Sequence, residues 1–192
     1  MAHVSQMNPT RDGRVERSNI TRQGILDAAR TLMLNGTAQP IAKDIAHTAG
    51  TTTRTLFRHF SDMESLYTTI ANEAQASITA VMEEPFPAAE DWRTSLDLII
   101  ERRVRVYEHL LPLYLSSAWP RDSSDQSYGI KRRRRRLSEV LPKKLAEDEI
   151  LFEVLDATLS IEFWASMRRG QNLGVPTATC VLQRAVRELT NQ

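Results

Sequence analysis

Ile25, Ala28, Ala29, Leu32 and Met33 recur at i, i+3 and i+4, and the same helical rhythm returns along almost the whole chain. That periodicity puts apolar side chains on one face of a helix, whereas strands need strict alternation. No Asn-Gly or Asp-Gly pair joins two alternating apolar runs; Asp12-Gly13 lies in a polar stretch. The expected fold class is therefore all-α.

Prolines and glycines then divide the chain into about nine helices. Thr21 is an N-cap candidate and Asn35-Gly36 a stop signal, which predicts a first helix near 21–34. Pro40 suits the start of a second, 40–47, ended by Gly50. A third opens at Thr51, and Ser61-Asp62-Met63-Glu64 reads as a capping box for a fourth that runs to about 83. Pro85 and Pro87 break the chain there. Further helices are expected at 90–111, 112–119, 126–141, 147–169 and 176–190, bounded by Pro112, Pro120, Pro142, Gly170 and Pro176.

Between the second and third helices, Ala46-His47-Thr48-Ala49-Gly50 supplies small residues for close helix approach and a glycine for a positive φ, the grammar of a helix-turn-helix. Counting 100° per residue from Thr51, the apolar Leu56, Phe57 and Phe60 are expected to face the core. Thr51, Arg54, Thr55 and Arg58 fall within an arc of about 100° on the other side. Thr52 and His59 flank that arc, and Thr53 is expected toward the core. The polar face holds hydroxyls and guanidinium groups and no carboxylate, which suits a DNA major groove.

Charge supports the same division. The net charge is +1. Residues 1–60 carry Arg11, Arg14, Arg17, Arg22, Arg30, Lys43, Arg54 and Arg58 against Asp12, Glu16, Asp27 and Asp44, so the remainder is net acidic despite the basic run Lys131–Arg136. A basic first part and an acidic second part predict that the first meets a polyanion. The run 131–136 reads as a solvated helix face partly neutralised by the acids at 147–149 or elsewhere. Arg11, Arg14 and Arg17 fit a flexible basic arm over residues 1–20, free to enter a minor groove.

Residues 21–66, containing ILDAA, IAKDIAHTAG and TLFRHFSDMESL, resemble the DNA-binding domain of the TetR family of bacterial transcriptional regulators. The resemblance implies a helix-turn-helix domain over 21–66 and a helical ligand-binding and dimerisation domain over 67–192. It implies a homodimer on a palindromic double-stranded operator, acting as a repressor released by a small-molecule ligand. Thr51, Thr52 and Arg54 then lie at positions that approach bases, and Thr55, Phe57, Arg58 and His59 along phosphates. Two residues depart from the family pattern. Phe57 stands where a tyrosine hydroxyl usually meets a phosphate, and Met63 where lysine is common.

Within the second part, Trp92, Tyr107, Tyr114, Trp119, Phe152, Phe163, Trp164 and Met167 are candidates to line a ligand cavity. The apolar faces of 147–169 and 176–190 are candidates for the dimer contact. His3, His47, His59 and His109 have no paired metal-ligand spacing, and no phosphate loop or nucleophile elbow occurs, so neither metal, cofactor nor catalysis is expected. The single cysteine, Cys180, the lack of an apolar leader and the lack of an 18-residue apolar segment predict a cytoplasmic chain without a membrane partner. The alternatives are a ligand-binding helical scaffold with weakened operator binding and, after it, a helical enzyme.

Overall fold

The computed structural model describes the backbone of residues 9–85, 89, 91–117 and 124–191, and the side chains of these except 9–12 and 124–129. The described residues form ten α-helices and one π-helical turn, with no strand. They are α1 (Pro9–Leu34), α2 (Ala42–Thr48), α3 (Thr53–His59), α4 (Met63–Glu83), α5 (Trp92–Leu115), α6 (Ser124–Val140), α7 (Lys143–Ala146), α8 (Glu149–Thr158), α9 (Ile161–Ala165) and α10 (Val175–Thr190), with the π turn at Ser166–Gly170 between the last two. Two compact units divide between Asn72 and Glu73, inside α4, rather than at the Pro85–Pro87 break.

The first unit is a small helical cluster around α1. Ile25, Leu26, Ala29 and Met33 of α1 are fully buried with Ile45 of α2, Leu56 of α3 and Leu66 of α4. Each fully buried large aliphatic side chain contributes about 1.5–3 kcal/mol relative to exposure. Gly36, at φ 94, ends α1, and the Thr37 amide reaches back to the Leu32 carbonyl at 2.9 Å. The Tyr67 hydroxyl of α4 donates to the Pro40 carbonyl at 2.5 Å, which ties the loop before α2 to the fourth helix.

Two boundaries in this unit differ from expectation. α1 begins at Pro9, not near Thr21, so residues 9–20 are helical rather than a flexible arm. Pro9 is suited to a first helical turn, where its missing amide costs nothing. The cap of α4 is Asp62, not Ser61: the Asp62 carboxylate accepts from the Ser65 amide at 2.7 Å, and the Ser65 hydroxyl accepts from the Asp62 amide at 3.4 Å. The reciprocal box is therefore shifted by one residue.

The second unit packs α5, α6, α8 and α10 around a shared core that includes Leu96, Ile100, Val104, Leu137, Leu155 and Leu182. Asp91 starts α5 by accepting from the Arg93 and Thr94 amides at 2.7 and 2.9 Å. Pro112 does not end that helix as predicted. It sits three residues before the end, with Leu111, Pro112 and Leu113 all buried, and packing carries the helix past the missing proline donor.

The expected helix 147–169 is broken at Leu159. There the Leu159 carbonyl accepts from the buried Arg103 guanidinium at 2.9 Å and from the Tyr107 hydroxyl at 2.7 Å. Ser160 next restarts the chain as the N-cap of α9, its hydroxyl accepting from the Phe163 amide at 3.2 Å. The four-residue α7 had no periodic signal long enough to predict.

Candidate nucleic-acid interface

The turn between α2 and α3 is built from backbone bonds. The Ala49 amide donates to the Ile45 carbonyl at 2.9 Å, the Gly50 amide to the His47 carbonyl at 3.1 Å, and the Thr51 amide to the Ala46 carbonyl at 2.9 Å. Gly50 adopts φ 63, the left-handed region that a Cβ disfavours. Buried Ile45 and Ala46 hold α2 inward, and Leu56, wholly buried, holds α3.

Thr52, with extended backbone, is the N-cap of α3. Its hydroxyl oxygen accepts from the Thr55 amide at 3.1 Å and donates to the Thr55 hydroxyl at 3.1 Å. α3 therefore starts two residues later than the sequence suggested, which leaves Thr51 and Thr52 in the turn. Phe60 closes the helix: it is buried, its amide donates to the Leu56 carbonyl at 3.0 Å, and the Arg22 guanidinium of α1 stacks 4.9 Å from its ring.

This geometry sets which side chains face outward. Thr52, Thr53, Arg54, Phe57 and Arg58 are exposed, while Thr51, Thr55 and His59 are half-buried. Two expectations are corrected here. Phe57 does not face the core; it is 47% exposed. Thr53, assigned toward the core, is exposed. On α3 itself Thr53, Phe57, Arg54 and Arg58 occupy one arc of about 140°, opposite the side that carries buried Leu56 and half-buried Thr55 and His59. The count that set Phe57 and Thr53 inward included Phe60, which lies outside the helix as its C-cap.

Arg54 and Arg58 make no ion pair among the described residues, and α3 carries no carboxylate. The His59 ring has its Nε2 enclosed without a hydrogen-bond partner. Burial first, then the Arg58 and Arg22 charges, push its pKa below the ordinary histidine value. Beside the start of α3, Lys43, Asp44 and His47 of α2 line an open hollow with Ala46, Thr51 and Thr53. Lys43 and His47 are exposed; a helix-turn-helix face includes its first helix, a signal the sequence reading left unused.

Arg14 and Arg17 are exposed on the first turns of α1, in a stretch from Arg14 to Ile20 that is exposed throughout. The Arg11 side chain lies outside the described residues.

The basic run lies on α6 in the second unit. Arg134 is bound bidentately by Glu153 and donates to Asp156 at 3.0 Å, with its guanidinium 4.9 Å from the Phe152 ring. Its pKa is raised, chiefly by the Glu153 hydrogen bonds. Arg135 and Arg136 both reach Glu139, at 2.9 and 3.4 Å. The neutralising acids are therefore Glu139, Glu153 and Asp156, not those at 147–149. Arg133 turns partly inward, its Nε enclosed without a partner and its carbonyl accepting from Arg103 at 3.1 Å.

Of the candidate ligand residues, Tyr107, Phe152, Trp164 and Met167 are buried in the second core, Trp92 and Tyr114 pack partly buried against it, and Phe163 is exposed. Trp119 lies outside the described residues. Glu108 accepts from Trp164 Nε1 at 2.8 Å and from Arg168 Nε at 2.9 Å. Buried Arg103 was not anticipated, although its position between Ile100 and Tyr107 falls on the inward stripe of α5. Among the described residues, no group of three or more His, Cys, Asp or Glu side chains is placed to hold a metal ion, and no helix is long and apolar enough to cross a membrane.

Residues 25–80 match the family described as bacterial regulatory proteins, tetR family. No curated protein matches the chain.

Proposed function

We propose that the chain, whose residues 25–80 match the tetR family of bacterial regulatory proteins, is a DNA-binding transcriptional regulator of that family and acts as a homodimeric, ligand-released repressor of a palindromic operator. The observation that carries this reading is the outward face of α3: two arginines without acidic partners, beside threonine hydroxyls, on a helix anchored by buried Leu56. Residues 21–66 act as the DNA-binding domain and 67–192 as the regulatory and dimerisation domain.

In this reading Thr51, Thr52 and Arg54 approach base edges, the Arg54 fork meeting guanine O6 and N7 together. Thr55, Arg58 and His59 meet phosphates, and Arg11, Arg14 and Arg17 reach flanking DNA from the start of α1. Phosphate contacts set register, and base contacts set sequence.

The dimer reading is supported by exposed apolar side chains on the last helices: Ile150 at 80% exposure, with Val154 of α8, Phe163 of α9 and Val181 of α10. An exposed apolar set of this size is a candidate interface. A symmetric pair presents two α3 helices to half-sites one helical turn, about 34–36 Å, apart. A small molecule seated among the aromatic residues of the second unit would release the operator by favouring a conformation with the wrong spacing. The protein would act in the cytoplasm.

A second reading, a ligand-binding scaffold with weakened operator binding, is favoured by Phe57 and Met63, which lack the phosphate-bonding groups common at those positions. Selection of bound sequences from a random DNA pool, followed by anisotropy at stated salt, separates the two. A palindromic sequence should emerge and bind far more tightly than unselected DNA; recovery of no preferred sequence supports the scaffold. Light scattering that gives a monomer at micromolar concentration, with and without the selected DNA, would refute the dimer.

A further inference from the structure

Phe57 is an apolar side chain on a face otherwise made of threonine and arginine. It is 47% exposed, one helical turn beyond Thr53 and three residues beyond Arg54. A phenyl ring kept in water costs free energy that burial elsewhere would recover. The ring has no polar atom with which to bond a phosphate. Major-groove edges offer one apolar group, the thymine C5-methyl, and phenylalanine is among the side chains that contact it.

We propose that Phe57 reads thymine by packing its ring on the C5-methyl group, and so is a specificity-determining residue rather than a phosphate neighbour. This rests on the DNA reading of α3 given above. Three residues of helix advance about 4.5 Å, close to the ~3.4 Å rise of one base pair. The thymine therefore lies one or two base pairs from the guanine held by Arg54, in each half-site. The same ring disfavours cytosine at that position, which offers an amino donor and no methyl.

The test uses the full-length protein and the sequence it selects from a random pool. Each thymine of that sequence is replaced in turn by deoxyuridine, which keeps the base-pairing edge and removes only the methyl. One thymine per half-site should lose roughly fourfold in affinity on replacement, the factor that burial of one methyl group supports. Phe57→Ala, whose side chain is already exposed and whose melting curve should match the wild type, should bind the thymine and uracil versions equally. Phe57→Leu should keep part of the discrimination.

Two results overturn the assignment: no thymine whose replacement matters, or a uracil penalty that persists in Phe57→Ala and so belongs to another side chain, such as the neighbouring Thr53 methyl. Failure to select any sequence overturns the DNA reading itself. That outcome is distinct, because it appears before any base is modified.

Discussion

Replacing Gly50 by alanine isolates the backbone cost of presenting α3. Gly50 sits at φ 63, and a Cβ built there meets no atom within 4 Å. No clash contributes, so the penalty is that of holding an L-residue in the left-handed region, about 1–2 kcal/mol. Alanine also narrows the unfolded ensemble, which offsets about 0.4–1 kcal/mol of this. The net destabilisation of the first unit is expected at about 1 kcal/mol, roughly a fivefold rise in its opening equilibrium. Gly50→Asn should cost less than alanine, since asparagine visits this region more readily.

Peptide-resolved hydrogen exchange over α1 to α3 measures that opening directly. It suits a chain of two units better than a single global melt, because the tryptophans, Trp92, Trp119 and Trp164, all lie after Asn72. Amides of α8 serve as the internal reference. If Gly50→Ala exchanges like the wild type, or if asparagine is worse than alanine, the turn does not depend on positive φ and the account of α3's placement fails.

Other predictions concern charge. The Asp62 carboxyl is held below its ordinary pKa, first by the Ser65 amide and then by the Ser61 hydroxyl. Its stabilisation of α4 is therefore full above the unfolded carboxylate value and lost as pH falls through the lowered one. Asp62→Asn should be less stable than the wild type at neutral pH, with the difference shrinking on acidification; a constant difference in pH-dependent denaturation would refute the cap. Lys131, Arg132 and Arg135 replaced together by glutamine should change the salt slope of DNA binding by less than about one unit. A slope reduced by two or more would make α6 part of the operator contact.

The helical class, the turn and the buried anchors of the first unit were legible because each leaves a local mark. Ile25, Ala28, Ala29, Leu32 and Met33 repeat at helical spacing, and Gly50 follows small residues. Phe57 was misassigned inward because the angular count took Phe60, the C-cap outside α3, as part of the inward face. The inward direction is set by Leu56 and by the start of the helix at Thr53, which depends on Thr52 bonding the Thr55 amide. In the second unit the break at Leu159 was invisible. It depends on Arg103 and Tyr107, more than fifty residues earlier, competing for one carbonyl. The continuity of α5 through Pro112 depends likewise on burial that no local propensity encodes. The partners of the basic run were missed for the same reason, since Glu153 and Asp156 reach Arg134 only once α8 packs beside α6.

The central claim is that α3 reads sequence through Arg54 and holds backbone through Arg58. Binding of Arg54→Ala and Arg58→Ala to the selected sequence, and to every single-base substitution of it, tests this at fixed salt. Arg54→Ala should lose about 1–3 kcal/mol per half-site on the selected sequence and become indifferent to one base pair in each half. Arg58→Ala should weaken all sequences alike and flatten the salt dependence. Loss of affinity by Arg54→Ala that is even across every base substitution would make that residue a phosphate clamp and contradict the account.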